Sequence, residues 1–219
     1  MLNKQKGNMY DFVTHTWNAI KGICPHDCSY CYMKSFPQKA MRLDEQEFKT
    51  DLGQDNFIFV GSSIDMFAVD VPDEWIGCVL AHCRKFDNTY LFQSKNPVRF
   101  NRFLTDFPQH VILATTIETN RDLHMISNAP CAENRVDGIA TPILAQYEKM
   151  ITIEPIMDFD LDELVALIQE VKPNWVNIGA DSKHHNLPEP SYEKVMRLKE
   201  RLEIFTTVKL KSNLERLRN

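Results

Sequence analysis

Seven short runs of mostly apolar residues recur along this chain, at 16–20, 56–61, 89–94, 111–117, 150–154, 175–179 and 205–210. Most are nearly continuous in β-branched and aromatic residues, the pattern of strands buried on both faces in a parallel sheet. Helical patterns lie between them. Trp75, Val79, Leu80 and Phe86 mark 73–86; Leu161, Leu164, Val165 and Ile168 mark 160–171; Val195, Leu198 and Leu202 mark 192–202. Pro72 and Pro173 punctuate the boundaries. Strand–helix alternation predicts βαβ units with right-handed crossovers. Six such units are too few for a closed eight-fold barrel. The expected fold is therefore α/β, a partial (β/α)6-type open barrel with mostly parallel strands and an extra C-terminal strand. With no repeat, low-complexity tract or linker, one domain over 1–219 is expected. Its core spans about 14–182, and a C-terminal helix and strand occupy 190–219.

A chain of 219 residues can bury a sizeable core, and 43% hydrophobic with 25% charged residues is ordinary for a globular protein. The net charge of −5 argues against broad, non-specific nucleic-acid binding. A local basic segment runs through Arg197, Lys199, Arg201, Lys209, Lys211, Arg216 and Arg218. Interspersed Glu200, Glu203 and Glu215 favour reading it as a solvated face. No apolar run approaches the length of a membrane span, and no apolar N-terminal signal region is evident. A cytoplasmic protein without a membrane partner is expected, in the host cytoplasm if phage-encoded. The sequence leaves the oligomeric state open.

Three of the six cysteines fall within eight residues, Cys24-Pro25-His26-Asp27-Cys28-Ser29-Tyr30-Cys31, a C-x3-C-x2-C spacing. No fourth cysteine follows nearby. Three thiolates can hold three irons of a cubane cluster and leave the fourth iron open to a small molecule. A structural zinc site wants four ligands, usually as two separated hooks, and the second hook is missing. His26 could complete a Cys3His set, though only by a tight fold-back. A disulfide, or thiols with no metal, are further readings. Cys78 and Cys83 read as core or half-buried thiols, and Cys131 as a loop thiol.

Polar residues sit where the strands end, and parallel α/β folds gather ligands there. The runs close on Gly61-Ser62-Ser63 with Asp65 beyond, on Ser94-Lys95, on Thr115-Thr116-Ile117-Glu118, on Glu154-Pro155, and on Gly179-Ala180-Asp181-Ser182. Asp65, Asp181 and Ser182 each suit a helix cap, but five polar strand ends in series imply a populated cleft.

Over residues 17–179 the chain resembles the radical S-adenosylmethionine (SAM) superfamily. The stretches VGSSIDMFAVDVPDEWI, FQSKNPVRF, TTIETN, TIEPIMDF and NIGADS resemble a poorly characterised branch common in bacteriophage genomes. The resemblance implies that Cys24, Cys28 and Cys31 ligate a 4Fe–4S cluster and that SAM chelates its open iron. It implies that Tyr30 packs on the adenine and that Gly61, Ser62 and Ser63 bind the SAM amine. That stretch departs from the family's Gly-Gly-Glu. Lys95 would partner the SAM carboxylate, Thr116 and Glu118 the ribose, and Glu154 and Gly179 the adenine side or the substrate. The implied reaction is reductive cleavage of SAM to a 5′-deoxyadenosyl radical that abstracts hydrogen from substrate. An electron donor such as flavodoxin or ferredoxin would supply the electron. The phage-type motifs and the basic C-terminal segment point to modification or isomerisation of a hypermodified, thymidine-derived pyrimidine in nucleotide or DNA. The alternatives are DNA-lesion repair resembling spore photoproduct lyase, with Cys131 as hydrogen donor, and a metal-stabilised binding module without catalysis. His184, His185, Asp65 and Asp70 are further candidates for substrate contact. His15 and Trp17 lie close before the cysteine loop, where they would support it.

Overall fold

The computed structural model describes residues 1–5 and 9–218. The strands are β1 (Asn3–Lys4), β2 (His15–Trp17), β3 (Ile20–Lys21), β4 (Arg42–Leu43), β5 (Phe57–Val60), β6 (Thr89–Gln93), β7 (His110–Thr116), β8 (Glu148–Ile153), β9 (Trp175–Ile178) and β10 (Thr207–Leu210). Eight of them form one sheet in the order β1-β2-β5-β6-β7-β8-β9-β10. From β2 to β10 every neighbouring pair is parallel, and β1 joins antiparallel at one edge. The end strands do not pair, so the barrel is partial and open, as the alternation predicts. The C-terminal strand extends the same sheet beside β9.

Among the described residues, four α-helices supply the outer layer: α1 (Asp73–Cys83), α2 (Ala132–Ala140), α3 (Leu161–Val171) and α4 (Tyr192–Leu202). Three match the helical patterns, with α1 shorter than expected. Beyond Cys83 the chain tightens into i→i+3 bonds, Lys85 N–H to His82 O and Phe86 N–H to Cys83 O. α2 carries only Ala132, Val136 and Ile139 as buried apolar residues, too sparse a stripe to declare itself. The first strand is also shorter than expected. After Trp17 the chain turns away because Asn18 caps the end of β5, accepting from Ser63 N–H at 3.0 Å and donating to Ser62 Oγ at 3.1 Å. Ile20–Lys21 then pairs separately with Arg42–Leu43.

Strand residues alternate between an outer and an inner face of the sheet because side chains project with a period of two. Ile58, Val60, Tyr90, Phe92 and Leu113 join α1 in one outer core. Ile151, Ile153, Val176 and Ile178 join α2, α3 and α4 in another. The opposite parity, Phe57, Phe59, Leu91, Ile112, Ala114, Met150 and Trp175, packs on Tyr10, Phe12 and Val13. The segment before β2, unassigned by periodicity, thus packs on the inner face of the sheet. Continuing this inner parity toward the carboxyl ends turns it polar, through Gly61, Gln93, Thr116, Thr152 and Glu154. That switch creates the site.

Candidate active site

A cavity of about 720 Å³ opens at the carboxyl ends of the parallel strands. It brings together Cys24, Cys28 and Cys31 with Tyr30 from the cysteine loop. Gly61, Ser62 and Ser63 enter from β5, Lys95 from β6, Thr116 from β7 and Glu154 from β8. Gly61 adopts φ +79°, a left-handed conformation that side chains disfavour, and this lets the chain turn at the rim.

The cysteine loop is held at several points. Asp27 N–H donates to Cys24 O at 3.1 Å, and Cys31 N–H to Cys28 O at 3.1 Å. Ser29 N–H reaches Ile126 O at 2.8 Å, and Asn128 N–H reaches His26 O at 2.7 Å. Buried His26 hydrogen-bonds through Nε2 to Asp65 Oδ2 at 2.8 Å. Asp65 also accepts from Phe67 N–H, Ser94 Oγ and Lys95 N–H at 2.9, 3.0 and 2.7 Å. Burial opposes its charge, yet the His26 contact and the backbone N–H groups hold its carboxyl below the usual range. Asp65 therefore ties the cysteine loop to two strand ends, whereas Asp70 is exposed. His15 and Trp17 belong to β2, beside β5.

Burial, then the Asp65 carboxylate, pushes the Cys24 thiol up to about 11. Cys28 is buried, and Cys24 and Cys31 are half-buried. All six cysteines are free thiols. Among the described residues, no three His, Cys, Asp or Glu side chains converge as ligands of a single metal ion. Cubane ligation is a different arrangement, since each thiolate binds its own iron.

Several expected contacts change. Glu118 is buried and stands outside the cavity lining. Its Oε2 accepts from Arg135 at 2.7 Å, and its Oε1 from Tyr30 OH at 2.6 Å and Lys95 Nζ at 2.5 Å. Three donors thus already converge on this carboxylate behind the cavity wall. Burial works against its charge, but Arg135 and Lys95 outweigh it and keep the carboxylate ionised. Burial likewise opposes the Lys95 charge, and Glu118, Tyr30 and Cys28 more than restore it. The Lys95 ammonium lies 4.5 Å from the Tyr30 ring centroid and donates to the Tyr30 hydroxyl at 2.8 Å, so it sits at the phenol end of that ring. Gly179 also lies outside the lining. A Cβ there would stand 2.7 Å from the Glu154 carboxyl, so this glycine makes room for Glu154. Glu154 pairs with Lys211 at 2.7 Å.

His185 lines the cavity and bonds through Nδ1 to Asp181 Oδ1 at 2.7 Å, while His184 is exposed away from it. Cys131 is exposed at the N-terminus of α2 and does not line the cavity, so it is not placed to donate hydrogen there. Cys78 is exposed rather than half-buried, while Cys83 is buried. Of the basic C-terminal residues, Lys199 pairs with Glu203, Arg201 with Asp162, Lys211 with Glu154, Arg216 with Glu189 and Arg218 with Glu215. That segment is largely neutralised.

Sequence reasoning missed Gln93, Tyr10 and Arg135. Tyr10 OH donates to Gln93 Oε1 at 2.8 Å, and Gln93 Nε2 donates to Thr116 Oγ1 at 3.0 Å. Gln93 shares the inner parity of Leu91 and Lys95, a signal present in the sequence. Arg135 sits on the unrecognised helix and carried none.

No family model and no curated protein matches the chain. Solved structures do. A spore photoproduct lyase variant superposes with TM-score 0.62 at 12% identity, covering 92% of this chain and 64% of that one. The chain shares its fold with spore photoproduct lyase. A second structure of that lyase, with bound AdoMet and dinucleoside spore photoproduct, gives TM-score 0.60 at 12% identity, covering 91% and 64%. Methylornithine synthase gives TM-score 0.51 at 13% identity, covering 88% and 63%. The chain thus spans about 64% of the length of the lyase structures it matches.

Proposed function

We propose that this chain is a radical SAM enzyme in which Cys24, Cys28 and Cys31 hold a 4Fe–4S cluster and SAM occupies the fourth iron. The observation that carries this reading is the gathering of three thiols along one cavity at the carboxyl ends of parallel strands. The donor set fits the group, since soft thiolates suit iron–sulfur clusters and three of them leave one iron open. The fold shared with a lyase whose structure holds AdoMet adds support. When bound, the cluster and SAM supply one-electron cleavage of SAM and hydrogen-atom abstraction from a substrate carbon. An external donor such as flavodoxin or ferredoxin provides the electron.

The chain's own residues hold and shape the site. Asp65 and His26 fix the cysteine loop against the ends of β5 and β6. The turn at Gly61 brings Ser62 and Ser63 to the rim, where Asn18 and Tyr32 hold them by hydrogen bonds to Ser62 Oγ, Ser62 O and Ser63 N–H. Thr116, Gln93 and Tyr10 form a hydrogen-bonded series that orients a polar partner. Glu154, steadied by Lys211, presents a carboxylate at the far strand ends. The apolar inner core beneath the cavity limits water.

The substrate we propose is a thymidine-derived pyrimidine, as nucleotide or within DNA, modified or isomerised at an unactivated carbon. Support comes from the phage-type motifs and from the fold shared with a lyase solved with a dinucleoside spore photoproduct. The shared fold equally supports a lesion-repair lyase, though one with a hydrogen donor other than Cys131. Anaerobic reconstitution tests the core reading: the expected result is a 4Fe–4S spectrum and release of 5′-deoxyadenosine from SAM, both lost in Cys28→Ala. Bound zinc with no SAM cleavage identifies a metal-stabilised binding module instead. For the substrate, reduced enzyme and SAM are incubated with modified or irradiated DNA and the nucleosides analysed. Unchanged nucleosides alongside turnover of a peptide would overturn the pyrimidine assignment.

A further inference from the structure

The sulfur of Cys28 has two polar neighbours. Ser127 Oγ lies 3.1 Å away and Lys95 Nζ 3.4 Å away. Ser127 Oγ already accepts from the Ala129 N–H at 3.2 Å, which leaves its own proton for the sulfur. An ammonium carries three N–H donors and no acceptor. Lys95 directs them at Glu118 Oε1 (2.5 Å), Tyr30 OH (2.8 Å) and Cys28 Sγ, so all three are committed. Glu118 is in turn anchored by buried Arg135, which also donates to Thr116 O at 2.9 Å and to Pro130 O at 2.6 Å. A lysine that swung toward a ligand would leave a buried carboxylate short of a partner, a costly exchange.

We propose that Lys95 and Ser127 are positioning residues for the cluster, both donating hydrogen bonds to the Cys28 thiolate, and that Lys95 does not bind the SAM carboxylate. The proposal rests on the radical SAM reading. Reduction adds negative charge to a cluster whose ligating sulfurs already carry it. A cation and a hydroxyl aimed at one sulfur stabilise the reduced form and raise its reduction potential. The brace of Arg135 and Glu118 keeps that cation in place at no further cost during reduction, in the manner of a preorganised dipole.

The test is a redox titration of anaerobically reconstituted, SAM-free protein, followed by electron paramagnetic resonance, with SAM affinity measured separately. Ser127→Ala and Lys95→Met should each bind a full complement of iron and sulfide yet show a more negative midpoint potential. Ser127→Thr should restore it. SAM affinity should be unchanged in Lys95→Met, whereas loss of an ammonium–carboxylate contact would weaken it by about tenfold or more. Potentials that do not move in fully loaded variants overturn the proposal, as does a SAM affinity weakened about tenfold or more in Lys95→Met. If Lys95→Met does not fold, Ser127→Ala decides the serine's part, and Lys95→Gln, which keeps an N–H donor without the charge, is read for potential and SAM affinity in its place. Wild-type protein that assembles no 4Fe–4S cluster overturns the radical SAM reading itself, before any variant is made.

Discussion

Both oxygens of Glu118 are occupied within a buried network of Arg135, Lys95 and Tyr30. Removing this carboxylate leaves two like charges buried near one another. Loss of one partner from a buried ion pair costs about 3–5 kcal/mol. Glu118→Ala is therefore expected to lower unfolding free energy by an amount in that range, as read by urea denaturation. Adding Lys95→Met to it should cost less than the two changes summed, because the second removes a charge the first left unpaired. The cysteine spacing was fully legible as a motif, since eight consecutive residues carry it. The role of Glu118 was not. Its partners Tyr30 and Arg135 lie 88 and 17 residues away, and a strand-end carboxylate looks the same whether it faces a ligand or a guanidinium.

α3 and α4 show how a helix is read from sequence and what then stabilises it. Leu164, Val165 and Ile168 are buried from α3, and Val195, Leu198 and Leu202 from α4, in one shared core. Leu164→Ala should cost about 2–5 kcal/mol through lost burial and a residual cavity, seen as a lower Tm. At the start of α4, Ser191 Oγ accepts from Lys194 N–H at 3.2 Å. Ser191→Ala should cost about 1 kcal/mol, while Ser191→Asp retains the cap, as chemical denaturation would show. These helices were legible because their apolar stripes repeat at helical spacing. α2 was not, because Arg135 and Gly138 are buried there beside few apolar residues. A buried arginine reads as a surface residue until its partner is known.

Across the whole molecule, acid should be the destabilising direction. Glu118, Asp65, Asp158 and Asp181 all have carboxyl pKa values lowered by folding. The unfolded chain then binds more protons as pH falls through about 4, so their contribution is full above that value and lost below it. His82, lowered chiefly by burial, adds a shallower loss that begins as pH falls through about 6.5. Thermal melts of the metal-free protein from pH 8 to 3 should show Tm declining gently below pH 6.5 and steeply below 4.5. Glu118→Ala should flatten the acid limb, and an unflattened limb would remove Glu118 from this account. At this scale the sequence by itself determined the series of parallel strands, three of the helices between them, the open architecture and the position of the cysteine loop. Those follow from side-chain periods of two and 3.6 and from spacing along a few residues, which are local properties. The tertiary structure alone decided which strand-end groups face the cavity and which spend themselves on one another. It also decided that Tyr10 and Phe12 cover the inner face and that acidic partners neutralise most of the C-terminal basic residues. Burial and charge pairing depend on contacts between residues far apart in the chain, and no local pattern records them.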